Sequence, residues 1–95
     1  MWVLRSTDES NPLAIRLTVG AVKTVGRGPI ADFVVNTSLV SRVHCQFSVS
    51  ATGLKVEDLK STNGTFVNDQ RVEQSSLQPG DRLRLGRLEL TVLQK

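Results

Sequence analysis

Apolar and polar residues alternate along this chain with a period of two. Leu13, Ile15, Leu17 and Val19 are separated by Ala14, Arg16 and Thr18, and Val43, Cys45, Phe47 and Val49 by His44, Gln46 and Ser48. Leu83 and Leu85 alternate with Arg82 and Arg84, and Leu88, Leu90 and Val92 with Glu89 and Thr91. Successive side chains of a strand point to opposite faces, so each run predicts a strand with one buried and one wet face. Shorter strand candidates are Trp2 to Arg5, Lys23 to Val25, Phe33 to Val35, Leu54 to Glu57, Thr65 to Val67 and Arg71 to Val72. The longest stretch free of Gly and Pro, Ile30 to Thr52, carries no apolar stripe at helical spacing, so no long helix is expected.

Turn residues fall between these runs: Asp8-Glu9-Ser10-Asn11-Pro12, Ala51-Thr52-Gly53, Asn68-Asp69-Gln70 and Pro79-Gly80-Asp81. About ten short strands joined by tight turns describe an all-β sandwich or barrel, with function expected on the loops. Composition agrees. Twenty-three of the 95 residues are Val, Ile or Thr, whose stiff β-branched side chains fit a pleated surface. With no Tyr, one Trp and three Phe, the core must be aliphatic.

Other classes drop out on the same figures. At 39% hydrophobic residues the chain is not a disordered tail, and 95 residues are too few for a multidomain enzyme. One cysteine, Cys45, excludes a disulfide scaffold and is expected in the core of a protein from a reducing compartment. No apolar run is long enough to span a membrane as a helix, and no basic-then-apolar leader opens the chain. A formal charge of +3 and a pI near 9.6 raise the question of nucleic acid. The basic residues are dispersed, however, and the strands offer no aromatic platform on which bases could stack, so direct nucleic-acid binding ranks as the alternative.

Three loops carry more polar chemistry than a connection needs. They are Gly26-Arg27-Gly28-Pro29, Thr37-Ser38-Leu39-Val40-Ser41-Arg42, and Asp58-Leu59-Lys60-Ser61-Thr62-Asn63-Gly64-Thr65. Between them they supply what a phosphate dianion accepts: guanidinium forks from Arg27 and Arg42, hydroxyls from Ser41, Ser61 and Thr62, and backbone N–H groups made accessible by glycine. A phosphorylated side chain brings roughly −1.5 to −2 charge and three acceptor oxygens. Whether the three loops meet is a question for the fold.

Gly26-Arg27, Ser41-Arg42-Val43-His44, the run from Asp58 to Asn68, and Pro79-Gly80-Asp81 with Leu85-Gly86 stand in the order found in the forkhead-associated (FHA) domain, and the sequence resembles that family from about Thr24 to Val92. The resemblance implies a twisted β-sandwich of about eleven strands. It also implies that loops at one end bind phosphothreonine peptides, with no catalytic activity and no cofactor. Residue by residue, it implies that Arg27 binds a phosphate oxygen and that Ser41 donates its hydroxyl and backbone N–H to the same group. Thr62 adds a phosphate contact, and Arg42 is placed for another. Asn63 bonds the peptide main chain, and Leu39 lies in the loop that selects a residue after the phosphothreonine. Gly26, His44, Ser61 and Gly64 shape the loops.

The remaining motifs carry less. His44 and Cys45, on opposite sides of one strand, make neither a metal site nor a nucleophile dyad. Gly26-Arg27-Gly28 lacks the Gly-Lys-Ser/Thr of a nucleotide loop. Arg82, Arg84 and Arg87 read as a solvent face of the last hairpin. The opening Met1-Trp2-Val3-Leu4 together with Ser41-Arg42-Val43-His44 is similar to the nibrin-like branch of the family, which would imply a nuclear role in the DNA-damage response. The expected unit is a single, monomeric domain over residues 1–95, excised from a longer protein. Its expected partner is a phosphothreonine-bearing protein or peptide rather than a small molecule or a membrane. An FHA-like module making phosphate-independent contacts is the third reading.

Overall fold

The computed structural model describes residues 1–8 and 12–95; Glu9, Ser10 and Asn11 of the first predicted turn lie outside the described residues. Eleven strands follow one another: β1 (Trp2–Ser6), β2 (Ala14–Leu17), β3 (Val22–Gly26), β4 (Phe33–Val34), β5 (Cys45–Ser50), β6 (Gly53–Asp58), β7 (Thr65–Val67), β8 (Gln70–Val72), β9 (Gln74–Leu77), β10 (Arg82–Leu85) and β11 (Leu88–Gln94). They form two sheets. One has the order β2-β1-β11-β10-β7-β8 and the other β4-β3-β5-β6-β9. Every pairing is antiparallel except β3 with β4.

The alternation read from the sequence sets the inner faces. Leu4, Ile15, Leu83, Leu85, Leu90 and Val92 of the first sheet face Val25, Cys45, Phe47, Leu54, Val56 and Leu77 of the second, all nearly or wholly buried. Phe47 is the one fully buried aromatic; apart from Trp2 and Cys45 the rest of the buried cluster is aliphatic. Each fully buried Leu or Ile contributes about 1.5–3 kcal/mol relative to leaving it exposed. The first and last strands are neighbours, with Trp2 opposite Gln94 and Ser6 opposite Leu90, so the sheet is closed by its most distant segments in sequence.

Three expectations need correction. The alternation carries the buried face on to Val19, but β2 stops at Leu17 and Val19 is 73% exposed. The chain turns there, with Gly20 at φ +91°. The strand predicted from Val43 begins instead at Cys45, because Val43 and His44 still belong to the preceding loop. Finally, β9 had no expected counterpart. Gln74-Ser75-Ser76-Leu77 shows no alternation because it pairs only with β6 at a sheet edge, and Leu77 alone reaches the core.

Candidate functional site

The β3–β4, β4–β5 and β6–β7 loops converge at one end of the sandwich and are tied to one another by hydrogen bonds. Arg27 N–H donates to the Ser41 carbonyl and Gly28 N–H to the Arg42 carbonyl, each at 2.9 Å, which zips the first loop to the second. Gly26 is where they touch: a Cβ there would lie 2.1 Å from the Arg42 carbonyl oxygen. No side chain fits without parting the loops. The second loop is joined to the third by Thr62 N–H donating to Ser41 Oγ (3.0 Å) and Asn63 Nδ2–H donating to the Leu39 carbonyl (3.0 Å).

Beneath this surface lies His44, fully buried. Its Nδ1 accepts the Ser41 N–H at 3.1 Å, so the ring proton lies on Nε2, which donates to the Gly64 carbonyl at 2.8 Å. One imidazole thereby sets the spacing between the second and third loops. Asp58, at the end of β6, organises the third loop from the other side. The Ser61 hydroxyl and N–H and the Thr65 hydroxyl all donate to its carboxylate, and Ser61 Oγ accepts the Gly64 N–H at 3.0 Å. Burial pushes the Asp58 carboxyl up, but the bonds from Ser61 and Thr65 outweigh it and hold the group below its ordinary value of 3.8. Among the described residues, no buried side-chain nitrogen or oxygen lacks a partner. The network is complete, which makes it rigid.

Above that network the exposed groups remain available. The guanidinium groups of Arg27 and Arg42 form no ion pair among the described residues. The Arg42 main chain and Cβ pack against Gly28, where a Cβ would lie 3.1 Å from them. Ser41 Oγ accepts from Thr62 N–H and therefore keeps its own proton free to donate outward. Thr62 and Asn63 are exposed, and Asn63 retains its Oδ1 and one N–H. Two cations and two hydroxyls at one rigid end are suited to a dianion. The arrangement does not suit nucleophilic catalysis: the histidine nitrogen nearest Ser41 is taken by the backbone N–H and is not available to the hydroxyl.

One detail differs from the sequence-based roles. The Ser41 N–H, expected to reach the phosphate, is given to His44, so Ser41 has only its hydroxyl to offer. Leu39, 49% exposed, adopts φ +69°, a conformation unfavourable for a bulky residue, and in it its carbonyl meets Asn63. Two residues of the site had been given no role, Asp58 and Thr65. The Asp-x-x-Ser spacing from Asp58 to Ser61 is a turn signal that points to the first of them.

Comparison with known proteins places this geometry. The FHA domain family model matches residues 23–86. The FHA domain-containing protein FhaA of Mycobacterium tuberculosis is 40% identical over 85 residues, covering 90% of this chain and 16% of FhaA. The glycogen accumulation regulator GarA of the same species is 34% identical over 73 residues, covering 77% of this chain and 45% of GarA. The chain thus spans less than half the length of these curated relatives. The FhaA FHA domain complexed with the intracellular domain of Rv3910 superposes with a TM-score of 0.87 at 34% identity, over 97% of this chain and 99% of that one. The N-terminal FHA domain of Saccharomyces cerevisiae Rad53p in complex with a phosphothreonine peptide does so at 0.81 and 26% identity, over 99% and 93%. These relatives lend no support to the nibrin-like branch or to the nuclear repair role read from the opening residues. What fold, family model and relatives agree on is coarser and firm: this chain belongs to the FHA-domain family.

Proposed function

We propose that this chain is a non-enzymatic module that binds phosphothreonine-bearing segments of other proteins through its three converging loops. The observation that carries the reading is the brace from Arg27 through Ser41 to Thr62, which ties the main chains of the three loops together at Ser41 while leaving the Arg27 guanidinium and the Ser41 hydroxyl unspent. Arg27 and Ser41 bind the phosphate, Thr62 and Arg42 complete its shell, and Asn63 bonds the peptide main chain with the groups that Leu39 does not use. Leu39 offers an apolar contact to a residue beyond the phosphothreonine. Such charge-assisted bonds contribute roughly 1.5–3 kcal/mol each. The Rad53p domain's phosphothreonine peptide supports the same ligand class, and the FhaA domain's complex with the intracellular domain of Rv3910 supports a protein partner.

The relatives favour partner regulation inside a bacterial cell, one of them being a glycogen accumulation regulator and another an oxoglutarate dehydrogenase inhibitor. A nuclear repair role rests on Met1 to Leu4 and one shared motif, and we do not adopt it. Calorimetric titration with a phosphothreonine peptide, its phosphoserine twin and its unphosphorylated form tests the proposal. Tight binding of the first, weaker binding of the second and none of the third is expected. Equal binding of all three, or no loss in Arg27→Ala, would overturn it.

A further inference from the structure

Five of the eight arginines stand on one surface far larger than the phosphate loops. On the first sheet, register places Arg16 beside Val3, Arg5 beside Thr91 and Thr91 beside Arg82. The next row runs from Glu89 to Arg84, then Phe66, then Arg71. Apart from Val3, which is covered at 3% exposure, these side chains alternate with core residues and so point outward. The outer face of the second sheet is built differently: Thr24, Gln46, Ser48, Gln74 and Ser76 carry no charge, and Lys55 and Glu57 offset each other. Dispersed in sequence, the arginines are gathered by the folding of the first sheet.

We propose that this outer face is a second docking surface, which takes an acidic segment of the same protein that presents the phosphothreonine. Its chemistry is that of a protein interface. The Arg84 guanidinium lies 4.4 Å from the centroid of the Phe66 ring, and half-buried Leu93 and the methyl group of Thr91 supply apolar area between the charges. It does not suit a nucleic-acid backbone. Glu89 stands in the arginine row, Asp69 bridges Arg82 and Arg84 at 3.5 and 3.6 Å, and a single aromatic gives bases nothing to stack along. The face also begins at the phosphate end. A Cβ on Gly64 would lie 2.8 Å from Arg71 Nε, so the Arg71 side chain lies against the backbone next to Asn63, and the arginine row reaches the edge of the third loop. This placement rests on the phosphothreonine reading for the point of entry only; the charge segregation does not.

The test uses phosphothreonine peptides extended, on either side, by a run of glutamates or by the same run of glutamines, with unphosphorylated twins, followed by fluorescence anisotropy at low and high salt. The glutamate peptides are expected to bind about tenfold tighter at low salt, with the advantage fading as salt screens it. Replacing exposed Arg5, Arg16 and Arg82 together by Gln should abolish the advantage without changing affinity for the glutamine peptides. Arg27→Ala should weaken both sets equally and keep their ratio. Equal affinity for the two extensions, an advantage that survives the triple variant, or stronger binding of short duplex DNA to the same face would each overturn the proposal. If phosphate and Arg27 proved irrelevant while the glutamate advantage persisted and required the three arginines, the phosphothreonine reading would fall and the docking face would stand.

Discussion

The two ends of the sandwich are built on opposite terms. At the end away from the site, the β5–β6 connection is short and local: Ala51-Thr52 joins the two strands, with Ser50 Oγ accepting the Thr52 N–H. Gly53 there has φ +139° and open space around it. Its absent side chain serves only the turn. At the site end the loops are long and hold one another, and Gly26 lacks a side chain because another backbone occupies that space. A local turn tolerates change because nothing distant depends on it. A braced constellation holds ligand groups in place, at the cost of making each member depend on residues far away in sequence.

Substitutions at matched positions sharpen the contrast, and Gly26→Ala is expected to have the largest effect. Forcing a Cβ onto the Arg42 carbonyl should destabilise the domain by about 3 kcal/mol and abolish phosphopeptide binding. Gly53→Ala should lose about 1–2 kcal/mol to backbone strain, with binding unchanged. Urea denaturation paired with calorimetry reads both; a Gly26→Ala domain that binds normally would break the comparison.

His44→Ala comes next. It strands the Ser41 N–H and the Gly64 carbonyl inside the protein, and each unpaired buried group costs about 1–3 kcal/mol. A loss of about 2–4 kcal/mol is expected, together with weaker phosphopeptide affinity. Cys45→Ala, on the neighbouring core position, should lower stability alone. The two readouts separate a residue that positions the loops from one that merely fills space.

Arg27→Ala should leave stability within about 0.5 kcal/mol, since its side chain is exposed and unpaired, yet cost about 1.5–3 kcal/mol of phosphopeptide affinity. Lys55→Ala, exposed on the second sheet, should change neither.

The smallest effect expected is in acid. Asp58 is held below its ordinary value of 3.8, so the unfolded chain takes up the proton first as pH falls. Its contribution to stability is therefore complete above that value and is lost as pH drops through the folded-state value. Asp58→Asn should be less stable at neutral pH and show a shallower loss between about pH 5 and 3. Parallel acid limbs in the two proteins would remove Asp58 from the account.

Much of this was legible beforehand because it rests on local chemistry. Period-two alternation identified four of the strands and short runs between turns another six, and the glycine and hydroxyl motifs singled out three loops. The miss at β9 has a plain cause: an edge strand held by main-chain pairing with β6 leaves little trace in side-chain pattern. The overextension to Val19 has another, since alternation cannot show where a turn ends the pairing. At the site, residue types pointed to phosphate, but the motif could not say that the Ser41 N–H was already committed or that Asp58 anchors the third loop.

The sequence by itself determined the sheet class, the inner face of most strands and the residue types at the loops, because side-chain alternation and turn preference act over a few residues. Only the tertiary structure decided which nitrogen of His44 carries the proton, which donors remain free for a ligand, and that five scattered arginines share one face. Those outcomes depend on pairing between strands as distant as β1 and β11. No short window of sequence contains both partners of such a contact.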